Sequence, residues 1–266
     1  MAQDQFSGSI PELYDRLMGP MVFEPFAVDM ARRFEGFDGA LLETAAGTGR
    51  VTRQLAKAAP RSAITATDLS EAMLGRAAEV VKAPNVVWRQ ADALALPFAD
   101  ASFDAVVCQF GAMFFPDKMA GYAEARRVLK DGARFVFSVW DDLAANDVSE
   151  IAEAAVAALF PDDPPTFFAR GPFGHHDREI IRRNVLDAGF ATVEIETVSL
   201  PTPAPSARDA AFALVAGTPM RGLIEARDPA RLDEAVEAAA EALRARFGTG
   251  AFTGTGQAVF VTARNA

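Results

Sequence analysis

From residue 40 onward the chain keeps a rhythm that leaves few architectures open. Short apolar runs at Ala40–Glu43, Ala63–Asp68, Val86–Gln90, Ala105–Phe110 and Arg134–Val139 alternate with helix-like stretches at Val51–Ala59, Ser70–Val81 and Lys118–Leu129. Apolar strands separated by helices predict a parallel sheet buried on both faces, since each parallel crossover needs a covering helix. The turn LKDGA, Leu129 to Ala133, is expected to close the last helix with Gly132 as its cap. Nearer the start, Ser9 and Glu12 form a capping-box pair. They predict a short helix through Tyr14 and Leu17 that stops near Gly19–Pro20, with a second helix over Pro25–Phe34.

Beyond Trp140 the rhythm breaks. Asn146–Phe160 reads as an alanine-rich helix, DDPPTFFARGPFGHH as an irregular loop, and Asp177–Ala188 as a helix stopped by Gly189. Ala191–Leu200 alternates like a strand, Pro201–Pro205 reads as a connector, and Gln257–Ala263 as the last strand. Helices are expected at Ala207–Val215 and Pro229–Phe247. The expectation is therefore an α/β fold with seven strands. No repeat or composition shift divides it, so 1–266 is expected to be one domain. A helical lid at 1–36 and cap insertions at 141–176 and 201–255 are expected over the carboxyl ends of the strands.

Charge narrows the partners. The 36 acids outnumber the 26 bases, giving a net charge of −10. Such a surface repels phosphate backbones, and no basic cluster offsets it, so nucleic acid is not an expected partner. No apolar run approaches the ~20 residues of a membrane span, and the N-terminus lacks a secretory pattern. Cys108, the only cysteine, sits in the apolar run AVVCQF and reads as inert core. A cytoplasmic monomer or homodimer is the expectation.

The chemistry is concentrated at the strand ends, where open parallel sheets bind ligands. Glu43, Asp68, Asp92 and Gln109 stand there, beside the glycine turn of LLETAAGTGRVT. A single acid after a strand is as often a helix cap, but four polar ends around one turn are not explained that way. A pyrophosphate dinucleotide fits poorly. Thr52 holds the position of the third glycine, and Glu43 would repel the phosphates by about 4 kcal/mol at ~4 Å and an effective dielectric of ~20. A cationic ligand suits the same carboxylate.

Four blocks together resemble the class I S-adenosylmethionine (SAM)-dependent methyltransferases, of the small-molecule type that includes ubiquinone/menaquinone-biosynthesis C-methyltransferases. They are LLETAAGTGRVT, ITATDLSEAML, VVWRQADALALPFADASFDAVVCQFGAMFFPD and EARRVLKDGARFVFSVW; the resemblance covers about Tyr14 to Trp140 well and the AGF…VEIE stretch near Gly189 more loosely. The resemblance implies a Rossmann-like, mostly parallel seven-stranded sheet and SAM as cofactor, with S-adenosylhomocysteine as product. It implies that Glu43 and the backbone of Ala45, Gly47, Thr48 and Gly49 hold the methionyl end, and Asp68 the ribose diol. Leu69 and Met73 are expected to pack on adenine, Asp92 and Ala93 to meet its polar edge, and Gln109 and Phe110 to close the pocket. Tyr14 is expected to reach the methionyl carboxylate. The chain departs from the family pattern at Ala45, where the first glycine is usual and a negative φ would be needed, and at KDGA.

The acceptor side is read from aromatic and sulfur side chains. Met18, Phe23, Met113, Phe114, Trp140 and His175 are the candidates to contact a small, partly apolar acceptor whose reacting atom (O, N or C) stays open. His176 is the candidate base, set against a plain loop or helix-start role for both histidines. Asp141, Asp142, Asn146 and Asp147 offer oxygen ligands, but the region after the fourth strand supplies no companion acid, so no metal is expected. Motifs of nucleic-acid amino-methylating enzymes and of protein arginine methyltransferases are missing from QFGA. The alternative is a non-catalytic SAM-binding regulatory module on the same fold.

Overall fold

The computed structural model describes residues 14–266, with side chains from Met18 onward. It divides into two compact units. One contains residues 26–140, 175–198 and 258–266; the other contains the described part of the segment ending at Pro25 together with 141–174 and 199–257.

The first unit carries the sheet. Strands β1 (Ala40–Glu43), β2 (Ala63–Asp68), β3 (Val86–Gln90), β4 (Phe103–Gln109), β5 (Leu129–Trp140), β6 (Thr192–Ala204) and β7 (Phe252–Arg264) lie in the order β3-β2-β1-β4-β5-β7-β6. The pairs β1–β2, β2–β3, β1–β4 and β4–β5 are parallel, and β5–β7 is antiparallel. Connections run outward from β1 in one direction and from β4 in the other. This switch point opens a crevice at the carboxyl ends of β1 and β4. Register places it exactly among the candidates: Glu43 pairs with Ala66 and Val107, two residues short of Asp68 and Gln109.

Helices α1 (Glu24–Arg32), α2 (Arg50–Ala58), α3 (Glu71–Val80), α4 (Lys118–Val128), α5 (Asp147–Ala158), α6 (Phe167–Arg170), α7 (Arg178–Asp187), α8 (Ala207–Val215), α9 (Met220–Glu225) and α10 (Leu232–Phe247) complete the element order. The starts of α3, α4 and α7 are set by the Ser70, Asp117 and Asp177 caps, whose side chains accept first-turn backbone N–H bonds. On one side of the sheet, Tyr122 of α4 packs on Phe137 and Phe135, and Phe135 on Phe190. Another cluster joins Phe26 of α1 to Phe110, Trp140 and Phe260.

The other unit is built mainly from α5, α8 and α10. Their contact faces are small, with Ala152, Ala210, Ala211, Ala235, Ala239 and Ala240 all buried, so the backbones approach closely around Val156, Leu214 and Leu243. Glu153, also buried, accepts bonds from the N–H groups of Phe168 and Ala169, and so anchors α6 to α5.

Several boundaries differ from the sequence expectation. The first helix does not stop at Gly19–Pro20: a π-helical stretch, Tyr14–Phe23, continues straight into α1. Gly132 does not cap α4, which ends at Val128; it lies inside β5 at φ +68°, and its N–H bonds to the Ala266 carbonyl. The proline-rich 201–204 segment is not a connector but the end of edge strand β6, where missing N–H donors are tolerated. The loop before the histidines holds the short α6, and α9 was not expected at all.

Candidate active site

The turn after β1 is pinned on both sides. The Thr44 N–H bonds to the Val107 carbonyl and the Ala46 N–H to the Thr67 carbonyl, so β4 and β2 fix its course. Gly47 and Gly49 take φ of +56° and +81°. A side chain at Gly49 would also strike the Trp88 ring and Val81. Ala45 departs from expectation: its φ is +55°, not negative. An L-residue there carries roughly 1–2 kcal/mol of strain. Its Cβ is accommodated because Gly111 faces it across the β4 loop; a side chain at Gly111 would collide with Ala45 and with Cys108 Sγ.

Glu43 closes β1 at 2% exposure, and its Oε2 has no hydrogen-bond partner. Burial pushes its carboxyl from 4.5 up to about 8; the nearness of Thr52, whose hydroxyl has no hydrogen-bond partner of its own, offsets this in part, while the neighbouring Asp68 charge adds to it. Thr52 itself is fully buried. The odd residue of the glycine motif thus turns inward, toward the acid.

Asp68 is the second acid of the crevice. Its Oδ2 accepts the Gly47 N–H at 2.8 Å and its Oδ1 the Ser70 N–H at 2.8 Å. It therefore orders both the glycine turn and the start of α3, and each oxygen keeps a lone pair for a diol. Burial raises its carboxyl as well, against the backbone N–H groups of Ser70, Gly47 and Leu69. Beside it Leu69 is 38% exposed, an apolar surface at the crevice edge, while Met73 is buried one turn into α3.

Asp92 is exposed, just past β3, and its Oδ1 accepts the Leu94 N–H at 2.9 Å. The Ala91 N–H bonds to the Asp68 carbonyl at 3.0 Å, tying this turn, with Ala93, to the ribose acid. After β4, Phe110 has φ +53°, and its ring stacks on Trp140 at 3.8 Å. Gln109 is half-buried beside it.

The structure thus brings Glu43, Ala45–Gly49, Asp68, Leu69, Asp92, Ala93, Gln109 and Phe110 to adjacent strand ends. Two carboxyl groups, no phosphate-binding cation among them, and an unmet buried oxygen suit a cationic ligand with a diol. Of the acceptor-side candidates, Met113 is buried, Phe114 is 43% exposed, and Trp140 is buried against Phe110 and Phe26. Met18, buried, and Phe23, half-buried, belong to the other unit. The side chain of Tyr14 lies outside the described residues.

His175 is buried, with Nε2 3.1 Å from the Tyr122 hydroxyl. Burial and the nearby Lys118 charge lower it to about 4, so it is neutral near pH 7. His176 is half-buried, and Asp177 after it caps α7. Asp142, Asn146 and Asp147 spend side-chain oxygens on the N–H groups of Ala144, Gln257 and Thr255. Among the described residues no group of three or more His, Cys, Asp or Glu side chains is arranged to hold a metal ion. Nor is any helix among them long and apolar enough to cross a membrane.

Sequence reasoning missed Thr52 as a neighbour of Glu43, and Gly111 as the partner of Ala45. Thr52 was visible only as a deviation from a dinucleotide motif; Gly111 carried no signal.

The family model described as "Methyltransferase domain" matches residues 42–137. The demethylmenaquinone methyltransferase of Deinococcus radiodurans is 41% identical over 98 residues, 36% of this chain and 41% of that protein. The chain thus spans about two fifths of the length of that curated relative. The ubiquinone/menaquinone biosynthesis C-methyltransferase UbiE of Acidiphilium cryptum is 34% identical over 172 residues, 60% of this chain and 69% of that protein. Among solved structures, Haemonchus contortus phosphoethanolamine N-methyltransferase 2, in complex with phosphomonomethylethanolamine and S-adenosylhomocysteine, shares the fold. Its TM-score is 0.60 at 18% identity, over 96% of this chain and 57% of that one. The sheet order, the acid-bearing crevice at its switch point and the extent of the Acidiphilium match agree: the chain belongs to the class I SAM-dependent methyltransferases.

Proposed function

We propose that this chain transfers a methyl group from SAM to a small aromatic acceptor of the quinol type, at a ring carbon. The observation that carries the donor half is the buried Glu43 oxygen without a partner, set beside a diol-competent Asp68. An ammonium at Glu43 replaces an uncompensated buried acid with an ion pair, which favours the ionised form. The backbone of Ala45–Gly49 lies against the methionyl chain, Asp68 receives the ribose hydroxyls, and Leu69 and Met73 pack on adenine. Asp92 and Ala93 meet its polar edge, and Gln109 and Phe110 close the site. Bound SAM supplies an electrophilic methyl on a sulfonium. The protein's part is proximity and exclusion of water, which together lower the barrier to in-line displacement.

The acceptor half rests on the named relatives, demethylmenaquinone and ubiquinone/menaquinone methyltransferases, and on the apolar acceptor-side side chains. Met113, Phe114 and Trp140, all in the sheet-bearing unit, are assigned to contact it. A ring carbon must lose its proton after methylation, and His176 is the candidate to receive it. Two measurements test the halves separately. Calorimetric titration with S-adenosylhomocysteine tests the donor site, and a folded protein that binds neither it nor SAM overturns the proposal. Methyl-labelled SAM with a short-chain demethylmenaquinol tests the acceptor; binding without a labelled carbon-bound methyl overturns that half alone.

A further inference from the structure

An ion-pair network on α4 lies outside the crevice, yet every bond it makes beyond itself ends on the loop that carries Asp92. Arg127 Nε and Nη2 grip both Glu124 oxygens at 2.7 and 2.8 Å. The same guanidinium reaches the Leu96 carbonyl at 2.9 Å, the Phe98 carbonyl at 2.8 Å and Asp100 at 2.7 Å. Glu124 Oε2 in turn accepts the Leu96 N–H at 2.7 Å. Both backbone groups of Leu96 are therefore held by one Glu–Arg pair.

Leu96 immediately follows the turn that presents Asp92. That turn is closed by its own bonds, Leu94 N–H to Asp92 Oδ1 at 2.9 Å and Ala95 N–H to the Asp92 carbonyl at 3.0 Å. On its other side the Ala91 N–H bonds to the Asp68 carbonyl. The Asp92 turn is thus strung between the ribose acid and the Arg127–Glu124 pair. Of the five bonds that the guanidinium makes, two end on backbone carbonyls and three on carboxylates, so the fork fixes the course of the loop as well as pairing charges.

We propose that Arg127 and Glu124 are positioning residues for the purine end of the cofactor: they fix the Asp92–Ala95 turn so that the second Asp92 oxygen faces the 6-amino group of adenine. The inference rests on the donor half of the proposed function. Lys cannot replace Arg here, because one ammonium does not span two carbonyls and two carboxylates in a fixed plane.

The test compares two ligands by calorimetry: S-adenosylhomocysteine, and its inosine analogue, in which a carbonyl replaces the 6-amino group. Wild type is expected to prefer the adenine form. Arg127→Met is expected to weaken the adenine ligand a few-fold, no more than Asp92→Asn does, and the inosine ligand much less, so that the preference collapses. Arg127→Lys should behave nearly like Arg127→Met. Glu124→Gln, which keeps an acceptor for the Leu96 N–H, is the milder variant and carries the test where Arg127→Met does not fold. Equal weakening of both ligands, or unchanged affinities in folded variants, overturns the positioning role. Wild type binding neither ligand would instead overturn the donor half itself.

Discussion

The two ends of the donor crevice are built on opposite physical plans. At the β1 end Glu43 is buried, with one oxygen unmet and its carboxyl held near the protonated state. At the β3 end Asp92 is exposed, bonded within its own turn, and steadied through Leu96 by a surface ion-pair fork. The first end stores an electrostatic demand, and the second stores geometry. A ligand that brings a cation to one and a hydrogen-bond donor to the other therefore gains most of its affinity at the dry end, where charge is weakly screened.

The sharpest way to break this contrast is Glu43→Gln. It should weaken S-adenosylhomocysteine roughly hundredfold or more, since the ammonium loses its buried partner. The free variant should match the wild-type Tm near pH 4.5, where Glu43 is protonated in the fold, and exceed it toward pH 8, where ionising the buried acid costs the wild type stability; calorimetry and thermal melts read the two effects. A fall in Tm as large as the fall in affinity would mean that Glu43 is a structural residue.

Next in size is Gly111→Ala, whose methyl would collide with Ala45 and Cys108. We expect about 1–3 kcal/mol of destabilisation, read as a lower denaturation midpoint. Adding Ala45→Gly should recover part of it, by removing one clash and the strain at φ +55°. Full additivity of the two changes would show that the residues do not share the space.

The pH dependence sharpens the comparison further. The Glu43 carboxyl is raised from 4.5 to about 8 in the free protein, so below about 8 the folded state holds a proton that the unfolded state releases above about 4.5. Unfolding stability from this group must therefore fall as pH rises through that window and level off above it. Binding an ammonium requires the ionised form, so affinity should move the other way. It should rise by up to about tenfold per pH unit toward pH 8, then flatten. Glu43→Gln should remove this slope. A slope that survives in the variant would assign it to another group, with Asp68, also raised by burial, the first to test.

The smallest expected effect is Asp92→Asn. An exposed hydrogen bond to adenine should be worth about 0.5–1.5 kcal/mol, a few-fold in affinity, with no change in the pH slope. A loss matching that of Glu43→Gln would erase the distinction between the two ends.

Much of this was legible in the sequence because local signals and ligand chemistry coincide there. Strand runs ending in Glu43 and Asp68, with glycines at 47 and 49, required only the general rule that parallel sheets bind at their carboxyl ends. The helix starts expected at Ser70 and Asp177 were equally local, and in the structure both side chains hold first-turn N–H groups. Other features were illegible because their causes are distant in sequence. His175 reads as an acceptor contact or a plain loop residue, and nothing local shows that α4 places Tyr122 against it, 53 positions away. Gly132 reads as a helix cap until the last residue of the chain pairs with it inside a strand.

By itself, then, the sequence determined the alternation of strands and helices, the switch-point crevice and the types of residue at its rim. Periodicity, capping and turn chemistry act over a few residues, and the chain cannot hide them. Tertiary structure decided which of those residues stay dry. Only packing shows that Thr52 turns toward Glu43, that Gly111 makes room for a left-handed Ala45, and that Arg127 reaches back some thirty residues to hold Leu96. Burial and neighbouring charge are properties of the assembled sheet, and they turn an ordinary acid after a strand into a site that calls for a cation.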